Sequence, residues 1–157
     1  MVGSTFRAMS YESIFPQLSE DGFSIESPVD YYYNCIAWAA GKQDHWWWPR
    51  IIGGYWPSSV PEDDKIGTFV RLFENLGYNI CDSAVHEAEF EKVAIYARNG
   101  RVLHAARQLE SGRWTSKLGF ANDIEHSLSG LEGQEYGQVA QILKRRRLQE
   151  GAHPQFY

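Results

Sequence analysis

The chain has 157 residues, 43% hydrophobic and 15% aromatic, with a formal net charge of −5, which supports one globular domain and gives no global argument for nucleic-acid binding. No apolar run reaches the length of a membrane span, and the start lacks a charged segment followed by an apolar one. Two cysteines make no disulfide framework, so a reduced, cytoplasmic setting is expected.

In chain order, residues 1–61 carry Tyr31-Tyr32-Tyr33, Trp46-Trp47-Trp48-Pro49 and Tyr55-Trp56-Pro57 among glycines and prolines. That mixture predicts an ordered aromatic loop layer. Within it, Cys35-Ile36-Ala37-Trp38-Ala39-Ala40 follows the turn-prone Ser27-Pro28-Val29-Asp30 and reads as a short buried helix ended by Gly41. Pro61-Glu62-Asp63-Asp64 opens a second helix, where Ile66, Phe69, Val70, Phe73 and Leu76 keep helical spacing up to Gly77. Residues 91–98 form a strand, Asn99-Gly100 is a two-residue hairpin signal, and residues 101–108 return antiparallel. Ser111-Gly112 turns into a strand over 113–119. Asp123-Ile124-Glu125-His126 begins a turn or short helix, and residues 136–143 alternate like a last strand.

The expected fold is α+β: N-terminal helices packed on an antiparallel sheet of about four strands. One domain spans 1–150, with a loop-and-helix half at 1–80 and a sheet half at 90–146. Lys144-Arg145-Arg146-Arg147 reads as a solvated strand end. Residues 151–157 are set aside, because His153-Pro154-Gln155-Phe156 is the core of a streptavidin-binding peptide of the kind used as an affinity tag.

Cys35 sits at or just before a helix N-terminus, where unpaired N–H groups favour a thiolate. It is either a nucleophile or a small core residue beside Trp38. A cysteine hydrolase needs an imidazole within reach and a polar group that orients it. His45 and His86 read as surface residues and His153 belongs to the tail. His104, mid-strand beside Ala105 and Ala106, is the candidate base, and Ser116, Asp123 and His126 are candidates to orient it. Asn34 is either an oxyanion donor or an N-cap. Lys117 either binds an acidic substrate group or is a solvated strand end. Trp38 and Trp48 are substrate-side candidates, the Trp46–Trp48 run being either a groove for a peptide or sugar or a lid packed on the core. Cys81 lacks a partner. A zinc site of Cys35, His104 and Cys81 lacks a fourth ligand and close spacing, so neither metal nor cofactor is expected.

Asn34-Cys35-Ile36-Ala37-Trp38-Ala39, the two Trp-Pro segments, His104-Ala105-Ala106-Arg107-Gln108, Arg113-Trp114-Thr115-Ser116-Lys117-Leu118-Gly119 and Asp123-Ile124-Glu125-His126 together resemble a family of small uncharacterised bacterial domains. The resemblance covers roughly residues 30–146. Its Cys-then-His order is similar to the papain-like superfamily, including NlpC/P60 and CHAP amidases and papain-fold effector toxins. In the NlpC/P60 register, Lys92 stands where the base belongs and His104 orients. In the papain register, His104 is the base, but no Asn stands in the following strand. The papain register gives each role a competent residue and implies a papain-like layout. The expected activity is cysteine-dependent hydrolysis or acyl transfer on an amide bond of a peptide or protein: peptidase, amidase or deamidase. The competing expectation is a non-catalytic protein-binding or immunity-type module with Cys35 in its core.

Overall fold

The computed structural model describes residues 10–27, 29–119 and 121–147, so the reading of the tail at 151–157 lies outside the described residues. Two one-turn helices, α1 (Tyr11–Ile14) and α2 (Leu18–Asp21), lead into β1 (Phe23–Ile25). Helices α3 (Cys35–Ala39) and α4 (Ile66–Glu74) follow. Then come β2 (Asn79–Cys81), β3 (Phe90–Arg98), β4 (Arg101–Gln108), β5 (Trp114–Lys117), β6 (Asp123–His126), a 3-10 turn (Leu128–Leu131) and β7 (Gln138–Arg146). The strands make a seven-stranded sheet in the order β1-β6-β5-β4-β3-β7-β2. Each neighbouring pair is antiparallel.

This architecture overturns the papain-like α+β expectation of N-terminal helices on about four strands. The sheet dominates, and the longest helix among the described residues has 9 residues. The additional strands come from segments too short to show alternation. β1 and β2 have 3 residues each and exist because β6 and β7 offer them ladders. Residues 123–126, expected as a turn or short helix, are β6, paired on both sides by β1 and β5. Helix α4 starts at Ile66, later than the acids at 62–64 suggest. Asp63 stays outside it and accepts from the Lys65 amide and the Thr68 hydroxyl.

Strand β3, inside the sheet between β4 and β7, is buried from Val93 to Ala97 because both faces of the sheet are covered. On the near face, Val93 and Ile95 meet α3 and α4, whose Ile36, Phe69, Leu72 and Phe73 have no exposure. On the far face, Ala94 and Tyr96 meet Phe15, Leu18 and Leu131. Each such aromatic holds about 3–5 kcal/mol against truncation to alanine.

Two backbone features shape the end of the sheet where a pocket opens. Asn99 and Gly100 both take positive φ, 53° and 78°, the mirror-image turn that matches strand twist. Gly137 (φ 76°) lies so close to the Ala97 carbonyl that a Cβ would collide with it. That close approach brings the neighbouring Tyr136 down onto the far face.

Candidate functional site

Helix α3 begins at Cys35 because Asn34 caps it. Asn34 Oδ1 accepts from the Ala37 amide at 3.2 Å and from the Trp47 amide at 2.9 Å, while Nδ2 donates to the Trp47 carbonyl at 3.0 Å. Of its two expected roles, the N-cap is the one these bonds display, with a second grip on the Trp loop. The helix ends as its sequence suggests: Gly41 takes φ 81° and Lys42 N–H bonds the Ala37 carbonyl.

Cys35 is 8% exposed and lines a cavity of about 300 Å³ with Trp46, Trp48, Ile51, Leu103 and Tyr136. Burial pushes its thiol up to about 11, opposed in part by the Ala105 and Ile36 backbone amides and by the Lys117 ammonium. The amide of Ala105 reaches the sulfur because β4 and β5 separate here. Their ladder closes only at Arg107–Thr115 and Gln108–Trp114. The sulfur therefore lies one residue along the strand from His104.

His104 stands on the far face, opposite Tyr96 in the ladder, and has no exposure. Tyr136 stacks on its ring at 4.0 Å between centroids and 5° between planes. His104 Nε2 lies 2.8 Å from Ser116 Oγ, and Ser116 Oγ lies 2.7 Å from His126 Nε2. His126 Nδ1 in turn lies 2.6 Å from the Ser127 carbonyl. Burial holds both imidazoles below the ordinary histidine range, His126 at about 4 and His104 far down, so both are neutral near pH 7.

Neutrality fixes the protons along this line. A carbonyl only accepts, so His126 carries its proton on Nδ1 and accepts at Nε2. Ser116 then donates to His126 and accepts from His104, which puts the His104 proton on Nε2. What remains is a bare lone pair on His104 Nδ1, buried and without a hydrogen-bond partner. Nδ1 is the ring nitrogen nearer the backbone. No hydrogen bond joins Cys35 to His104 among the described residues.

The remaining sequence candidates divide between the faces. Of the three residues expected to orient His104, Ser116 touches it and His126 stands behind Ser116. Asp123 pairs with Lys117 in the β5–β6 ladder and so shares the other face. Burial raises its carboxyl, and Oδ1 has no partner. Lys117 is fully buried rather than solvated, donating to the Asp30 and Gly119 carbonyls at 2.6 Å each, and burial brings its ammonium down to about 8. Trp38 packs on the near face, donating to Thr115 Oγ1 at 3.1 Å beneath the Arg107 guanidinium. Trp48 lines the cavity and packs on Phe69, whereas Trp47 is core. Lys92 lies away from Cys35, its ammonium held by the Ser83 and Val85 carbonyls and by Glu87. Among the described residues no three His, Cys, Asp or Glu side chains stand together to hold a metal ion, and no helix is long and apolar enough to cross a membrane.

Ile51, Leu103 and Tyr136 escaped the sequence reading. Leu103 lies at a register shift between β3 and β4, and Tyr136 belongs to the loop before β7 rather than to that strand. The pair Tyr136-Gly137 was the available signal, since a glycine there permits close approach.

No curated protein and no solved structure matches the chain, so the papain-like analogy finds no support there. A family model described as a domain of unknown function, DUF7689, matches residues 24–144. That span holds α3, the Trp loop and the whole line from His104 to His126, over three-quarters of the sequence. The chain belongs to the DUF7689 family.

Proposed function

We propose that the chain is a thiol-dependent acyl-transfer enzyme, hydrolysing or transferring an amide of a peptide or protein at Cys35. The observation that carries this reading is the unpartnered lone pair on His104 Nδ1. A buried acceptor without a partner costs about 1–3 kcal/mol, and a base kept ready for a proton is a use for it. Tyr136 stacks on that imidazole and lines the same cavity as Cys35.

At rest the proton stays on sulfur, because burial disfavours both thiolate and imidazolium. Attack is therefore coupled to proton transfer. The Cys35 S–H bond breaks as sulfur bonds the substrate carbonyl carbon, and the proton passes by way of a water in the cavity to His104 Nδ1, since thiol and imidazole stand on opposite faces of β4. The C–N bond then breaks, the leaving amine takes that proton, and an acyl-thioester remains on Cys35. Water or a second amine, deprotonated by Nδ1, releases the acyl group. Ser116 and His126 hold the ring in the tautomer that accepts.

The test is intact-mass detection of acylation by an N-acylaminoacyl p-nitrophenyl ester. We expect an adduct on Cys35 near pH 7 and a drop of roughly 100-fold or more in rate for His104→Gln. Acylation that rises about tenfold per pH unit from pH 8 to 10 and is indifferent to His104→Gln would mark an unassisted thiol and overturn the proposal.

A second reading has its own observation. A thiol at about 11 that faces the Ala105 amide is also what a packed core cysteine looks like. In that case the chain is a non-catalytic binding module, and the same assay returns no acyl adduct near pH 7.

A further inference from the structure

We propose, resting on the acyl-transfer reading, that the Cys35 cavity selects a large, uncharged apolar side chain of an extended peptide substrate, with Ile51 as a specificity-determining residue. The cavity walls are Trp46, Trp48 and Ile51 on the loop side and Leu103 and Tyr136 on the sheet side. Among the described residues no charged side chain lines it. About 300 Å³ is at the small end for a ligand site, room for one bulky side chain and the amide that carries it. A charged side chain entering there would lose its water without gaining a partner. The cation that acts on Cys35, Lys117, offers no compensation, since it is fully buried and its ammonium is held by the Asp30 and Gly119 carbonyls.

The loop wall is preformed. Trp47 bridges to Tyr55, the Tyr55 amide bonds the Trp46 carbonyl at 2.7 Å, and the Trp46 indole donates to the Tyr31 carbonyl at 2.8 Å. Gly54 lies against the Trp46 carbonyl and Ile51, leaving no space for a Cβ. A rigid wall of this kind keeps the ordering cost of binding low. Beyond the cavity the same loop exposes Ile52 completely and Tyr55 in part, while Tyr31 is exposed beside Trp46.

The experiment is a titration of Cys35→Ala full-length protein, read by tryptophan fluorescence. The probes are N-acetyl-phenylalaninamide, N-acetyl-leucinamide, N-acetyl-lysinamide and N-acetyl-glutamic acid α-amide. We expect the two apolar amides to bind roughly tenfold or more tighter than either charged one. Ile51→Glu should remove that preference, while Ile52→Glu, one residue on and outside the cavity, should change it less than about twofold. Charged amides binding as well as apolar ones, or an unaltered preference in Ile51→Glu, would overturn the inference. Because Cys35→Ala cannot be acylated, the two readings fail separately. Preference in this variant without acylation of the wild-type chain removes only the catalytic reading. Acylation of the wild-type chain without preference removes only this one.

Discussion

The two faces of the sheet treat charge in opposite ways. On the near face, Arg107, Lys117 and Asp123 are buried or partly buried together, and the Asp123 carboxylate draws both cations toward the charged state, as they do it, against the penalty of burial. Backbone carbonyls hold the Lys117 ammonium, and the Trp38 ring lies under the Arg107 guanidinium. On the far face, His104 and His126 have no counter-charge among the described residues. Burial lowers both, and His126 lowers His104 further. The near face keeps its charges, whereas the far face excludes them where the two histidines stand and, elsewhere along β3, buries the Lys92 ammonium only against Glu87. His104 is held neutral well below the ordinary histidine range.

Acid should break that contrast most strongly. The imidazoles titrate near 6.5 when unfolded and well lower when folded, so their contribution is complete above about pH 6.5 and disappears as pH falls through about 4. The shift of His126 alone corresponds to about 3 kcal/mol. Urea unfolding at pH 7 and pH 4.5 should differ by at least about that much, and the double variant His104→Gln, His126→Gln should flatten the curve. Equal stability at the two pH values in the wild-type chain would mean that the far face tolerates charge after all.

Removing the link between the histidines comes next in size. Ser116→Ala leaves the Nε2 atoms of two buried imidazoles without their shared partner and should cost about 2 kcal/mol of stability. It also frees the His104 proton to move to Nδ1, so acylation of Cys35 should fall more than about tenfold in protein that is still folded. A stability loss with unaltered acylation would make the line of hydrogen bonds purely structural. On the near face, Asn34→Ala removes the α3 cap and should cost about 1 kcal/mol by chemical denaturation. The near-UV circular dichroism of the tryptophans should change with it, because Trp47 loses two bonds to the same side chain. An unchanged signal would detach the loop from the cap.

How far these features could be read from residues alone follows from the range of the interactions that make them. The Asn99-Gly100 hairpin, the Gly41 stop and the amphipathic run of α4 depend on a few adjacent residues, and their residues announce them. Strands β1 and β2 depend on partners far away in the chain, and nothing in Phe23–Ile25 or Asn79–Cys81 taken alone specifies pairing. The site divides in the same manner. Cys35, His104, Ser116 and His126 stand out as residue types in a suggestive order. That Ser116 and not Asp123 meets His104 is decided by strand alternation, one residue in either direction exchanging the faces. Tyr136 comes to His104 through the steric allowance at Gly137, a contact spanning more than thirty residues.

The grip of Asn34 on Trp47 has a mechanical meaning. One side chain starts the helix that presents the thiol and also fixes the loop that walls the cavity. Thiol and wall are geared together, since displacing either one breaks bonds of the same Asn34 side chain. On the proposed acyl-transfer reading, recognition and alignment share that one side chain.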